Sequence, residues 1–185
     1  DGDMDVFTGH SDGNLLFLRN TGTAALPAFA LAITNPFGLN DVGLQSTPDF
    51  VDIDNDGDLD AFVGNSNGNI VFFRNTGTVS APAFAAAVTN PFGLSNVGLN
   101  ANPSFVDIDV DGDLDAIVGN LTGNTLFFRN SGTAASPLFN PPKMDWLGLS
   151  DAGFNASPVF ADIDNDGDAD AFVSERQGEI FFFLN

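Results

Sequence analysis

The amino-acid sequence matches itself at a fixed offset of 55 residues. Asp52-Ile-Asp-Asn-Asp-Gly-Asp-Leu-Asp60 recurs with small changes from Asp107 to Asp115 and again from Asp162 to Asp170. The same offset relates Gly9 to Gly64 and Gly119, Arg19 to Arg74 and Arg129, Asn20 to Asn75, Asn130 and Asn185, and Phe50 to Phe105 and Phe160. A period that never slips means stacked copies of one supersecondary unit, each covering the apolar face of the next. On that period residues 1–185 form a single repeat domain, divided into a partial unit 1–20 and full units 21–75, 76–130 and 131–185. The opening Asp1-Gly-Asp-Met-Asp5 aligns with Asp56 to Asp60.

Within a unit, short apolar runs alternate with turn residues, and helix signals are absent. Ser46 to Val51, Ala61 to Gly64 and Asn69 to Arg74 read as strands, with the aspartate-rich segment between the first two. Asn67-Gly68 between two apolar runs predicts a type I′ hairpin turn, in which both central residues need positive φ. A turn at Asn75-Thr-Gly-Thr78 then leads to a fourth strand expected around Pro82 to Ala85, followed by a loop holding Asn90 to Leu94. Ile70-Val-Phe-Phe73 and Ile180-Phe-Phe-Phe-Leu184 are apolar at every position, so both faces of these strands need cover. A two-layer sandwich with one wet face per sheet would show polar alternation instead. The fold class expected is therefore all-β, with tandem repeats of β-propeller type and about four strands per 55-residue blade.

The composition supports a packed core and narrows the partners. Hydrophobic residues make up 43% of the chain, including 20 Phe, so the acidic residues do not belong to a disordered tail. Twenty-five Asp and Glu face five Lys and Arg, a formal net charge of −20 that repels nucleic acid and anionic membranes and calls for a cation. With no Cys there are no disulfides, thiolate metal sites or cysteine nucleophiles. No apolar run approaches the roughly 18 residues of a membrane-spanning helix, so membrane insertion is not expected. No basic-then-apolar leader opens the sequence, as in a mature or truncated chain.

Eighteen of the 25 acidic residues lie in the repeated loops, five in each complete loop plus Asp1, Asp3 and Asp5. Asp-x-Asp-x-Asp-Gly-x-x-Asp offers oxygen ligands from alternate positions of a tightly curled loop, and Gly57 makes the sharp turn. Calcium suits such a site, because it takes six to eight oxygens at about 2.3 to 2.6 Å in tolerant geometry. In one loop Asp52, Asp54 and Asp56 are expected to bind through side chains, Asp58 through its backbone carbonyl, and Asp60 to close the shell. Asp107, Asp109, Asp111, Asp113 and Asp115 form the second site, and Asp162, Asp164, Asp166, Asp168 and Asp170 the third. The expected complement is about three Ca²⁺, with a partial fourth site at Asp1, Asp3 and Asp5. An EF-hand would need Glu at the twelfth position and flanking helices, but Val63, Val118 and Val173 stand there. Carboxylates about 4 Å apart repel by roughly 1 to 4 kcal/mol per pair, a cost that a divalent ion reverses.

With its period and loops, the chain resembles the FG-GAP/VCBS-like repeat family, whose blades carry such a loop between their first two strands, as in integrin α-chain propellers. The resemblance covers the whole chain and is carried by the aspartate loop followed by Ala61-Phe-Val-Gly64, Ala116-Ile-Val-Gly119 or Ala171-Phe-Val-Ser174. It implies calcium at Asp52 through Asp60, Asp107 through Asp115 and Asp162 through Asp170, in a secreted or surface-exposed protein that serves adhesion or recognition.

The remaining singled-out residues read as structural. His10 stands where other units have Asn65 and Asn120, so it is expected in a turn rather than in catalysis. Arg19, Arg74 and Arg129 are expected to pair with nearby carboxylates or to cover apolar surface with their stems. Trp146 is the exception: it lies in the divergent segment Pro141 to Leu147, where a lone aromatic is able to stack on a sugar or fill a partner's pocket. The function expected is an extracellular calcium-stabilised adhesion or scaffold module, not an enzyme, with a protein or glycan of a cell surface or matrix as its partner. A second reading is a self-assembling subunit of a filament or surface layer, joined through strand edges at incomplete terminal blades. A third is a carbohydrate-binding lectin.

Overall fold

A computed structural model describes residues 2–149 and 152–185. Its strands form four small antiparallel sheets, each a meander of consecutive strands. The first contains β1 (Val6–Gly9), β2 (Leu15–Leu18) and β3 (Ile33–Thr34). The second contains β4 (Thr47–Val51), β5 (Asp60–Gly64), β6 (Ile70–Phe73) and β7 (Val88–Thr89). The third contains β8 (Asn102–Val106), β9 (Asp115–Gly119), β10 (Thr125–Phe128) and β11 (Lys143–Met144). The fourth contains β12 (Ser157–Ala161), β13 (Asp170–Ser174) and β14 (Ile180–Phe183). The only helical turns among the described residues are three single 3-10 turns, Pro36–Gly38, Pro91–Gly93 and Trp146–Gly148.

Two local expectations need correction. The segment from Pro82 to Ala85 is not a strand, and the fourth strand is the two-residue β7 beyond it. Pro82 has no N–H to give a ladder, and the polar groups of its neighbours are taken elsewhere. Ala83 donates to Asn75 Oδ1 (3.0 Å), and Phe84 donates to the Phe37 carbonyl of the preceding unit (2.7 Å), leaving one isolated bridge between Asn75 and Phe84. The hairpin at residues 65–69 is also not type I′, since Gly68 alone has positive φ there (+78°). Asn65 decides this: its Oδ1 accepts the N–H groups of Asn67 and Asn69 (3.1 Å each), holding a wider loop that needs one left-handed residue.

The sheets stack face against face in chain order. Phe7 and Leu15 of the first sheet meet Ala61, Val63, Val71 and Phe73 of the second. Phe62, Ile70 and Phe72 of the second meet Ala116, Val118, Leu126 and Phe128 of the third, and Ile117 and Phe127 of the third meet Ala171 and Val173 of the fourth. Strands β5, β6, β9 and β10 are accordingly buried at every position, as their unbroken apolar runs require. Phe rings link the layers, with centroids 4.5 Å apart for Phe7 and Phe50 and 4.3 Å for Phe62 and Phe105. Each fully buried Phe contributes about 1.5 to 3 kcal/mol through removal of its surface from water. The repeated Gly64 lets the next unit approach, because a Cβ there would lie 2.1 Å from the Ala101 carbonyl oxygen. Among the described residues the four sheets close into neither a barrel nor a propeller ring.

Candidate metal centres in the aspartate loops

Each complete aspartate loop leaves the first strand of a sheet and re-enters at the first residue of the second strand, at Asp60, Asp115 or Asp170. The leading aspartate shapes the loop. The two oxygens of Asp52 accept the N–H groups of Asp56 (3.1 Å) and Gly57 (3.0 Å), and Asp56 Oδ1 accepts that of Asp58 (3.2 Å). Asp107 holds Asp111 (3.0 Å) and Gly112 (2.9 Å) in the same way. In the last loop Asp162 takes the N–H of Asn165 (2.6 Å) and that of Gly167 (3.1 Å). The backbone turns through a left-handed residue at Asn55, Val110 or Asn165 and again at the following glycine.

This winding brings the first three aspartates of each loop together. Asp52, Asp54 and Asp56 present carboxylate oxygens within 4.8 Å of one another, as do Asp107, Asp109 and Asp111, and Asp162, Asp164 and Asp166. Asp58 and Asp60 are not part of that triad, yet each has a buried carboxylate oxygen with no hydrogen-bond partner, Oδ1 of Asp58 and Oδ2 of Asp60. Asp54 Oδ1, Asp113 Oδ1, Asp115 Oδ2 and Asp168 Oδ1 are in the same condition. A buried acceptor without a donor costs about 1 to 3 kcal/mol, more when charged, and a hard cation removes that cost for several of them together. The donor set, all carboxylate oxygen, therefore fits a hard metal ion. In the partial unit Asp3 and Asp5 stand at the positions of Asp58 and Asp60, and Asp3 Oδ1 is likewise buried without a partner. Asp1 lies outside the described residues.

The electrostatics follow from crowding and burial. Burial pushes the Asp60 carboxyl up to about 7; the Asn75 N–H (2.6 Å) opposes this, and the charges of Asp54 and Asp56 add to it. Asp115 is pushed to about 7 for the same reasons, with Asn130 as the opposing donor (2.7 Å). Asp54, Asp58, Asp113, Asp164 and Asp168 also lie above the usual carboxylate range, first through burial and then through their neighbours. Arginine partly offsets the charge. Arg74 Nη2 lies 2.5 Å from Asp54 Oδ2 and 3.4 Å from Asp56 Oδ2, and Arg129 Nη2 lies 2.6 Å from Asp109 and 3.1 Å from Asp111, which is the pairing expected of this series. Leu184 occupies the equivalent position in the last unit.

The repeated asparagines are a functional element that sequence reasoning registered only as a pattern. Asn75, Asn130 and Asn185 each donate their backbone N–H to the closing aspartate of their own loop, and Asn20 does the same to Asp5. The signal was present in their strict period, but their partners lie 15 residues upstream and meet them only across a hairpin. His10 sits in a turn, its N–H bonded to the Asn14 carbonyl (3.0 Å) and its Nδ1 2.7 Å from Asp12. Trp146 is packed rather than presented: its ring stacks on Phe127 at 4.1 Å between centroids, with Lys143 Nζ 5.3 Å from its ring centre.

An all-β stack in which three of the four sheets carry an aspartate triad between their first two strands defines a repeat protein with candidate metal centres built into the repeat. The family model described as FG-GAP-like repeat matches residues 1–63, 52–118 and 107–173, so the chain belongs to the FG-GAP-like repeat family. No curated protein matches it.

Proposed function

We propose that the chain is a calcium-binding module of β-propeller type, working outside the cell in adhesion or scaffolding, and that its calcium is structural. The observation that carries this reading is the triple recurrence of a triad with oxygens within 4.8 Å, surrounded by buried carboxylate oxygens that have no donor. Calcium is favoured over magnesium because the loops offer many flexible oxygen ligands rather than a small octahedral cage. An extracellular setting fits an all-oxygen site of this kind and fits family membership. The ion is assigned a structural role because each loop is pinned by its own carboxylates and closed by an aspartate locked to the neighbouring strand. No reaction is assigned to the chain, since it has no Cys, no Tyr and a single His that serves a turn.

Isothermal titration of chelator-treated protein with Ca²⁺ tests this. The expected stoichiometry is about three, falling by one in Asp109→Ala, with Mg²⁺ binding more weakly. Absence of heat with Ca²⁺ in a folded sample would overturn the reading.

A further inference from the structure

Two of the three complete aspartate loops carry a cation of their own. Arg74 and Arg129 stand immediately after β6 and β10, whose hairpins bring them back over the loops. Arg74 Nη2 meets the Oδ2 atoms of Asp54 and Asp56, and Arg129 Nη2 those of Asp109 and Asp111, so each guanidinium spans two of the three carboxylates of a triad. In the Asp52 to Asp60 loop the arginine takes Oδ2 of Asp54 and leaves Oδ1, which is buried without a partner. Arginine and a metal ion can therefore share that carboxylate, one oxygen each. The Asp162 to Asp170 loop has the same five aspartates, yet Leu184 stands at the arginine position, and among the described residues no basic side chain pairs with that loop. Chemically equal triads thus sit in two electrostatic settings, with a positive charge against two of them and none against the third.

We propose that Arg74 and Arg129 set the calcium affinity of their loops: each neutralises part of the empty triad and weakens its hold on the ion, so the Asp162 loop binds calcium most tightly and fills first. This rests on the calcium reading above. Two effects of the arginine oppose each other. Orientation of the carboxylates favours binding, but the two side chains are 53% and 51% exposed, and an exposed ion pair contributes little. The loops are also wound without the arginine, through the N–H groups held by Asp52 and Asp107. Charge acts the other way and is the larger effect. Repulsion from a divalent ion is twice that from a single charge, and the guanidinium touches the very carboxylates that would hold the ion, well within the roughly 8 Å screening length of physiological salt. The same positive charge steadies the loop when no ion is present, since it offsets repulsion among the carboxylates. Arginine therefore makes these two loops less dependent on calcium and, by linkage, less able to hold it.

Calorimetric titration of the chelator-treated full chain with Ca²⁺, paired with melting of the calcium-free samples, tests the proposal. Wild-type protein is expected to show one tight site and two that are weaker by about tenfold, the effect of one unit charge on a divalent ion a few ångströms away in water-like surroundings. Arg74→Leu combined with Arg129→Leu is expected to give three sites of the tight class, and Leu184→Arg three of the weak class. Calcium-free melting temperatures should move the other way, falling in the double variant and rising in Leu184→Arg. An arginine that only braced its loop would, once removed, lower affinity and melting temperature together, and that result overturns the proposal. Arg74→Lys combined with Arg129→Lys keeps the charge and should keep the wild-type pattern. Should the leucine variant fail to fold by circular dichroism, Arg74→Gln combined with Arg129→Gln replaces it. Three equal sites in wild-type protein overturn the proposal alone, whereas no calcium heat in folded wild-type protein overturns the calcium reading and the proposal with it.

Discussion

At the scale of single residues, the loops carry strain and charge that substitutions can relieve. Val110 is held at φ +58° with 69% of its surface exposed, while Asn55 and Asn165 fill the same position of the other loops. A β-branched residue pays a left-handed penalty of roughly 1 to 2 kcal/mol that Asn largely avoids. Val110→Asn is therefore expected to stabilise the protein by about 1 kcal/mol, read from urea unfolding. Asp49 is different in kind, because it lies on β4 and accepts the Phe105 N–H of the third sheet (3.0 Å) across that interface. Burial raises its carboxyl above the ordinary 3.8. The folded state thus holds this proton more tightly than the unfolded chain, so the contribution of Asp49 to stability is greatest at low pH and declines as pH rises from 3.8 through the folded value. Asp49→Asn keeps an acceptor and removes the buried charge. The variant is expected to be more stable than wild type at pH 7, with the difference shrinking towards zero as pH falls to the ordinary carboxylate value, measured by thermal melts across the range.

At the scale of elements, the hairpins show which glycines serve the turn and which serve the stack. Gly68 and Gly178 hold the same repeat position with φ of +78° and +92°. A Cβ at Gly68 would meet the Gly98 carbonyl oxygen of the next unit at 1.7 Å, whereas one at Gly178 would meet nothing within 4 Å. Gly178→Ala is therefore expected to cost only the left-handed penalty, about 1 kcal/mol. Gly68→Ala is expected to cost that and a further 1 to 3 kcal/mol, roughly, as the next unit is pushed away. Chemical denaturation of the two variants side by side separates backbone from interface.

At the scale of the whole molecule, the interfaces repeat from sheet to sheet and so do the aspartate loops, which on the proposed reading hold calcium. Removal of calcium is expected to lower the melting temperature in steps shared among units rather than to unfold one region alone. An ion at 100 times its dissociation constant contributes about 2.7 kcal/mol per site, so three occupied sites outweigh most single core substitutions. Calorimetry with and without chelator measures this. A chelated sample that melted at the calcium-loaded temperature would show that the loops hold their shape without metal.

Periodicity alone was enough to define the repeat, the all-β class, the position of the aspartate loop between the first two strands and the need for cover on both faces of the inner strands. These are legible because they depend on residue type at fixed local spacing, as in Asp52 to Asp60, and on unbroken apolar runs such as Ile70 to Phe73. The fourth strand was misplaced because Pro82 to Ala85 meets its partners, Asn75 and Phe37, at a distance in sequence and partly in the neighbouring unit. Likewise, the arginine pairs on Asp54 and Asp109 and the asparagine locks on Asp60 and Asp115 exist only once a hairpin folds back across the loop. Repetition makes every unit look alike in sequence, and only tertiary structure decides that Phe72 is buried and Phe182 is bare, because burial belongs to the neighbour that stacks on a face and not to the residues that form it.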